Sequence, residues 1–175
     1  MSEEQEDQIR PKPERPHLAE GYGVDCTKVA GMLPWSKVCD LMTTSRNYWI
    51  GTTRPDGRPH AMPVWGVWLD EVFYFGTNRN SRKGRNLAAN PELVVHLESG
   101  DEVVIFEGQA EEVTTKAILS KITQAYATKY EGFDPNPEGG PPEAIYYRLR
   151  PKVAYAWLEN DFVASATRWH FASNP

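Results

Sequence analysis

The feature that most constrains this chain is a series of short runs rich in aromatic and β-branched residues, each cut off by a turn. "NYWIGTTR" (47–54), "RPHAMPVWGVWL" (58–69) and "EVFYFGT" (71–77) have the composition of strands. "PDG" at 55–57 is a turn with a mechanism: proline presets φ and glycine admits positive φ. "LDE" at 69–71 is a second tight reversal, so these three runs predict an antiparallel meander. "ELVVHLES" (92–99) and "DEVVIFEGQAEEV" (101–113) predict a hairpin across Gly100. "AIYYRLRPKVAYAWLEN" (144–160) is strand-like around Pro151, and "SATRWHF" (165–171) ends the series. The expected fold is mainly β (α+β): a six- to seven-stranded antiparallel barrel with flanking helices, which removes sheet edges by closing.

Two other segments have helical character. Val38, Leu41, Met42 and Ser45 follow one face within 24–46, and Pro34 suits a first turn. From 115 to 130, Ile118, Ile122, Ala125 and Tyr126 make an inner stripe. Residues 1–20 are charged and proline-bearing and are read as a disordered or loosely docked tail, leaving 21–175 as one domain. "EGFDPNPEGGPP" (131–142) holds four prolines and three glycines and is read as a loop.

The net charge is −5, of which the first twenty residues carry −3, so a broad nucleic-acid footprint is not expected. A single-strand nucleic-acid barrel is disfavoured by the same balance. Cys26 and Cys39 are the only cysteines, and no CxxC or HExxH occurs, so no metal site is expected. No apolar run has the ~20 residues of a membrane span, and no apolar leader opens the chain. The expectation is a soluble cytoplasmic protein with no membrane partner.

One basic knot stands out: "RNSRKGRNLAANP" (79–91), with Arg79, Arg82, Lys83 and Arg85 inside seven residues. Ser81 is a natural N-cap, and the residues after it can form a short helix ended by Pro91. Cations in a helix's first turn face the positive end of its dipole. An anion there reverses the sign: free backbone N–H groups, a serine hydroxyl and two cations converge on one phosphate. Thr77 can add a hydroxyl. A solvated cationic turn is the other reading. Neither GxxxxGK[ST] nor a strand-borne GxGxxG is present, so no P-loop or Rossmann site is expected.

The segment "TNRNSRKGRNLAANP" (77–91), following "FYFGT", resembles the phosphate-binding segment of the pyridoxamine-phosphate-oxidase-like split-barrel flavoproteins. "DGRPHAMPVWGVWLDEVFYF" (56–75) is similar to their preceding hairpin, and "EGQAEEV" (107–113) to their Gly-x-Ala strand. The ending "TRWHF" is closest to the flavin/deazaflavin (coenzyme F-420) oxidoreductases. The resemblance implies that Thr77, Asn78, Ser81, Arg82 and Lys83 hold a cofactor phosphate. It implies a split barrel that is homodimeric, with the cofactor at the dimer interface and the C-terminal segment of one subunit covering the cofactor of the other, which places Arg168 and Trp169 near that ring or the substrate. In the oxidases proper, Arg and Lys bracket the ring-side strand. "HAMPVW" (60–65) has neither, so pyridoxamine phosphate oxidation itself is not expected.

The resemblance implies coenzyme F-420 or FMN as cofactor. Its ring would lie along His60, Met62, Pro63, Val64 and Trp65, where Pro63 leaves a gap in the ladder. Met62, Val64 and Trp65 are equally readable as barrel core. Arg79 and Arg85 favour F-420, whose oligoglutamate tail calls for extra cations. The implied activity is an oxidoreductase transferring hydride to a small conjugated or oxidised organic substrate. Tyr126, Tyr130, His60 and His170 are candidate proton donors, each also readable as structural. A non-catalytic carrier or sequestering protein is the alternative. The loop 131–142 is a candidate lid.

Overall fold

The computed structural model describes residues 11–19, 21–131 and 143–172. The strands are β1 (Pro13–Glu14), β2 (Asn47–Thr53), β3 (Pro59–Leu69), β4 (Val72–Asn78), β5 (Glu92–Leu97), β6 (Glu102–Glu112), β7 (Ala144–Leu158) and β8 (Thr167–His170). The helices are α1 (Trp35–Thr44), α2 (Arg82–Ala89), α3 (Lys116–Lys129) and α4 (Phe162–Ser165). All eight strands join one sheet in the order β1-β8-β7-β4-β3-β2-β5-β6, and a further β6–β7 pairing closes the last six into an antiparallel barrel. Two strands are thus added outside the barrel.

Period-two burial decides which face each strand turns inward. Tyr48, Ile50 and Thr52 of β2 are buried, as are Leu93, Val95 and Leu97 of β5. They meet Phe73, Phe75, Val104, Phe106, Tyr147 and Leu149 in the barrel interior. A second, smaller core lies outside the barrel wall. There α3 lays Ile122 and Tyr126 on Val67, Tyr74, Val113 and Tyr146.

Both predicted reversals have the backbone they need. Gly57 has φ +83. Asp70 and Glu71 have φ +50 and +59, as a two-residue type I′ hairpin turn requires. On β6, a Cβ at Gly108 would lie 2.1 Å from the Arg150 carbonyl oxygen. Glycine therefore permits the bulge where the β6–β7 register shifts, opposite Pro151.

The helical reading of 24–46 holds only for α1. Residues 24–34 are irregular, because Gly31 takes φ +86 and an Asp25 side chain draws the Thr27 backbone into a local turn. Pro34 stands at the N-cap, one position before the first turn. The loop at 131–142 lies outside the described residues apart from Glu131. Among the described residues, no helix is long and apolar enough to cross a membrane.

Residues 13–16 pack on the barrel in a way the tail's composition does not announce. β1 pairs with β8, and Arg15 behind it is only 5% exposed. Its guanidinium donates to the carbonyls of Lys28 (2.6 Å), Ala30 (2.6 Å), Ala164 (2.7 Å) and Ala166 (2.9 Å). One side chain thus ties residues 28–30 and 164–166 to the N-terminal segment. Arg15→Ala should lower stability by about 3 kcal/mol in urea unfolding, since it orphans several carbonyls at once. Arg15→Lys should recover little, because one ammonium cannot span both sides; full recovery would show that charge alone matters.

Candidate functional site

The barrel is incompletely zipped. β3 pairs with β2 along 59–65, but its ladder to β4 runs only from Leu69↔Val72 to Gly66↔Phe75. Beyond Phe75, β4 stays with β7, pairing Gly76, Thr77 and Asn78 with Tyr146, Ile145 and Ala144. Among the described residues, the edge of β3 from Pro59 to Trp65 therefore faces no strand on that side. Pro63 has no N–H to leave unpaired there, which is where a proline can sit in a strand.

A cleft of roughly 370 Å³ occupies this split, within the ~300–1,000 Å³ range of small-molecule sites. It is lined by Pro63, Val64 and Trp65 on one side and by Gly76, Thr77 and Ile145 on the other, with Tyr126 and Tyr146 as aromatic walls. Trp65 is 39% exposed and its indole stacks on Tyr130 at 4.4 Å between centroids. Val64 is buried and also belongs to the barrel core. The walls suit a planar ligand with apolar faces, and a free strand edge suits a ligand with donors and acceptors on its rim.

The basic turn closes one end of the cleft. Ser81 caps α2 as expected: its hydroxyl accepts from the Gly84 N–H at 3.1 Å and lies 3.0 Å from the Thr77 hydroxyl. Asn78 lines the cleft as well, and its side-chain oxygen fixes the turn by accepting from the Asn80 N–H at 2.7 Å. Lys83 lines the cleft, and burial lowers its pKa. No carboxylate pairs with Lys83, Arg82 or Arg85 among the described residues. A half-buried ammonium without a counter-ion, beside two hydroxyls and a helix start, is a place for an anion. Arg79, by contrast, is already committed to Glu112 at 2.6 Å.

Other predicted residues lie elsewhere. His60 and Met62 do not line the cleft. The His60 ring lies 3.4 Å from the Thr52 hydroxyl, and burial, with Arg54, Lys83 and Arg82 nearby, lowers its pKa. Tyr130 spends its hydroxyl on Gly66 and Arg46. Arg168 and Trp169 pair with Tyr155 and Ala154, nine residues along β7 from the cleft-lining residues, or roughly 30 Å. Trp169 is fully buried in its own barrel, and Arg168 pairs with Glu14 at 2.8 Å. Within its own subunit the Trp169 ring packs in the core, 5.5 Å from the Trp35 ring between centroids. His170 is exposed beside Glu14.

Three contributors escape sequence reasoning. Gly84 is required because a Cβ there would lie 2.5 Å from the Asn78 carbonyl oxygen, so it lets the helix start seat on the turn. Its position inside "SRKG" is the only sequence signal. Arg54 comes from the far end of β2, and its Nε is buried without a partner. Its field reaches His60 and Asp56 together with that of Arg82, which no sequence spacing reveals. Tyr146 enters from β7, which only barrel closure brings to the split.

A family model described as pyridoxamine 5'-phosphate oxidase matches residues 36–158. A pyridoxine/pyridoxamine 5'-phosphate oxidase of Bacteroides fragilis is 31% identical over 122 residues, covering 69% of this chain and 48% of that protein. The chain spans half or less of the length of the curated relatives it matches. Among solved structures, a conserved hypothetical protein from Mycobacterium tuberculosis aligns with a TM-score of 0.64 and 25% identity, over 75% of this chain and 88% of that one. An F-420 reductase aligns with a TM-score of 0.52 and 23% identity, over 66% and 93%, a likeness of fold.

Behind the cleft, Lys129 donates to the Tyr48 hydroxyl at 2.7 Å and the Gly66 carbonyl at 3.1 Å, and burial lowers its pKa to about 8. Unfolded, it holds its proton up to its ordinary value of 10.5. Between those values the unfolded chain binds a proton that the folded chain has released, so stability rises with pH. Below pH 8 both states are protonated and the full cost of the buried charge is present. Urea unfolding of wild type should therefore gain on Lys129→Met from about pH 8 to 10.5; parallel profiles would contradict the buried charge.

Proposed function

Because the chain belongs to the pyridoxamine 5'-phosphate oxidase family, we propose that it holds a phosphate-bearing flavin-type cofactor in the β3–β4 split. The observation that carries this reading is Lys83: half-buried, without a carboxylate, and placed where the cleft meets the Ser81 and Thr77 hydroxyls. An anionic group there would offset the desolvation of the ammonium and the reversed sign of the helix dipole in one contact. Arg82 at the start of α2 adds charge from the solvent side. The free edge of β3 at Ala61 and Pro63 would serve the rim of the ring, and Trp65, Tyr126 and Tyr146 its surroundings.

Coenzyme F-420 is the cofactor we favour, with FMN next. Arg79 no longer counts towards an acidic tail, because Glu112 neutralises it. Arg85 does: it is exposed on α2 without an ion-pair partner among the described residues. The bound group would supply hydride transfer, and the protein would orient it and exclude water. We propose a small conjugated or oxidised organic substrate and a homodimer as the working assembly.

A carrier or sequestering role has one observation in its favour. Tyr126 donates its hydroxyl proton to the Trp65 carbonyl and burial raises its pKa far above the ordinary phenol value, so it is no acid for a substrate. His60 lies off the cleft. Oxidation of the reduced cofactor by an enone or quinone in stopped-flow would favour the oxidoreductase; none with any acceptor would favour the carrier.

Incubation with F-420 and with FMN separately, then desalting, should leave a cofactor spectrum on the protein; retention of neither would overturn the reading. Lys83→Ala and Arg82→Ala should each weaken retention by about 1–3 kcal/mol, the strength of a charge-assisted bond to phosphate. Wild-type affinity in both would return the turn to a solvated surface.

A further inference from the structure

We propose that the Tyr126 hydroxyl is a spacer built into the β3–β4 ladder, and that it sets the width of the cleft. The consequence for ligand binding rests on the cofactor reading above; the spacer itself does not.

The ladder stops at Gly66↔Phe75. Continued by one residue, it would pair Trp65 with Gly76. Backbone groups alternate in direction along a strand. Gly66 turns its N–H and C=O towards Tyr130 and Lys129, so Trp65 turns its carbonyl towards β4. The Gly76 N–H is the donor that would complete the rung. Instead, Tyr126 donates to the Trp65 carbonyl at 2.9 Å and accepts from the Gly76 N–H at 3.2 Å. One oxygen stands where a direct hydrogen bond would run. It satisfies both backbone groups while keeping the strands a hydroxyl's width apart.

The rest of α3 holds that oxygen in place. Ile122, one turn earlier, is fully buried in the outer core. Tyr130, one turn later, stacks on Trp65 and accepts from the Gly66 N–H at 2.9 Å, while Lys129 donates to the Gly66 carbonyl. Both sides of the 65–66 step are therefore fastened to one helix. Gly76 contributes by having no side chain: a Cβ there would come within 3.0 Å of the Tyr146 ring. Tyr126 is a positioning residue. Its donor is committed to backbone, and its ring lines the cleft that its hydroxyl keeps open.

Tyr126→Phe tests this, since it keeps the ring in the outer core and removes only the oxygen. The crystal structure of the variant should show the Trp65 carbonyl and Gly76 nitrogen closed to direct hydrogen-bond distance, with slowed exchange of the Gly76 amide. Affinity for F-420 and FMN should fall at least tenfold. Tyr126→Leu, which also keeps an apolar body, should behave alike if the first variant does not fold. Strands that stay apart in the variant, or a rung that closes without loss of affinity, would overturn the spacer's role. A lowered melting temperature with wild-type affinity would mark Tyr126 as merely structural, also against the proposal. If wild type retains neither cofactor, the cofactor reading fails, and the Trp65–Gly76 separation still decides whether the spacer exists.

Discussion

A strand edge that no neighbour covers must find other partners for its backbone groups, and the edge of β3 is the place where this barrel has that problem. It arises because β4 changes allegiance. At Phe75 it is paired on both sides, with Gly66 and with Tyr147; from Gly76 onward only β7 holds it. β7 can do this because it is fifteen residues long and serves three other strands in succession. The cleft is the space left by that divergence. Pro63 and Tyr126 are the means by which its polar edge is made tolerable: one by lacking an N–H, the other by supplying a hydroxyl to the Trp65 carbonyl.

The same end of the barrel carries the reversed electrostatics of α2. Cations in a first helical turn are unfavourable, and partial burial of Lys83 adds desolvation to that cost. Asp56 lies in the field of Arg82, but among the described residues no carboxylate forms an ion pair with Lys83. Ser81 spends its hydroxyl on the Gly84 N–H, Asn78 serves the turn, and Asp56 forms its ion pair with Arg58. Among the described residues no carboxylate pairs with the Lys83 ammonium at the mouth of the cleft, and this is the ground on which an anionic ligand is proposed there.

Much of this was legible in the chain. The meander, the hairpin across Gly100, the long helix and the N-cap at Ser81 follow from local rules of burial period, turn chemistry and capping, which need only neighbours in sequence. The cations after Ser81 were legible as the first turn of a short helix for the same reason. What was not legible came from long-range packing. Trp169 has the residue type of a cofactor wall, yet closure of β7 on β8 buries it in the core. Arg79 looked spare until the β6–β7 ladder placed Glu112 beside it. Arg15 sits in a stretch with the composition of a loose tail, and only the carbonyls of two distant segments make it structural.

The sequence by itself therefore determined an antiparallel barrel, where its turns lie, and that a helix begins in a cluster of cations after a serine. Those are consequences of backbone geometry and side-chain chemistry within a few residues. Only the tertiary structure decided that the barrel stops zipping at Gly66, that Tyr126 stands in the missing rung, and which cations remain without partners. Each of these depends on which strands run side by side once the barrel closes, and that pairing brings together residues tens of positions apart.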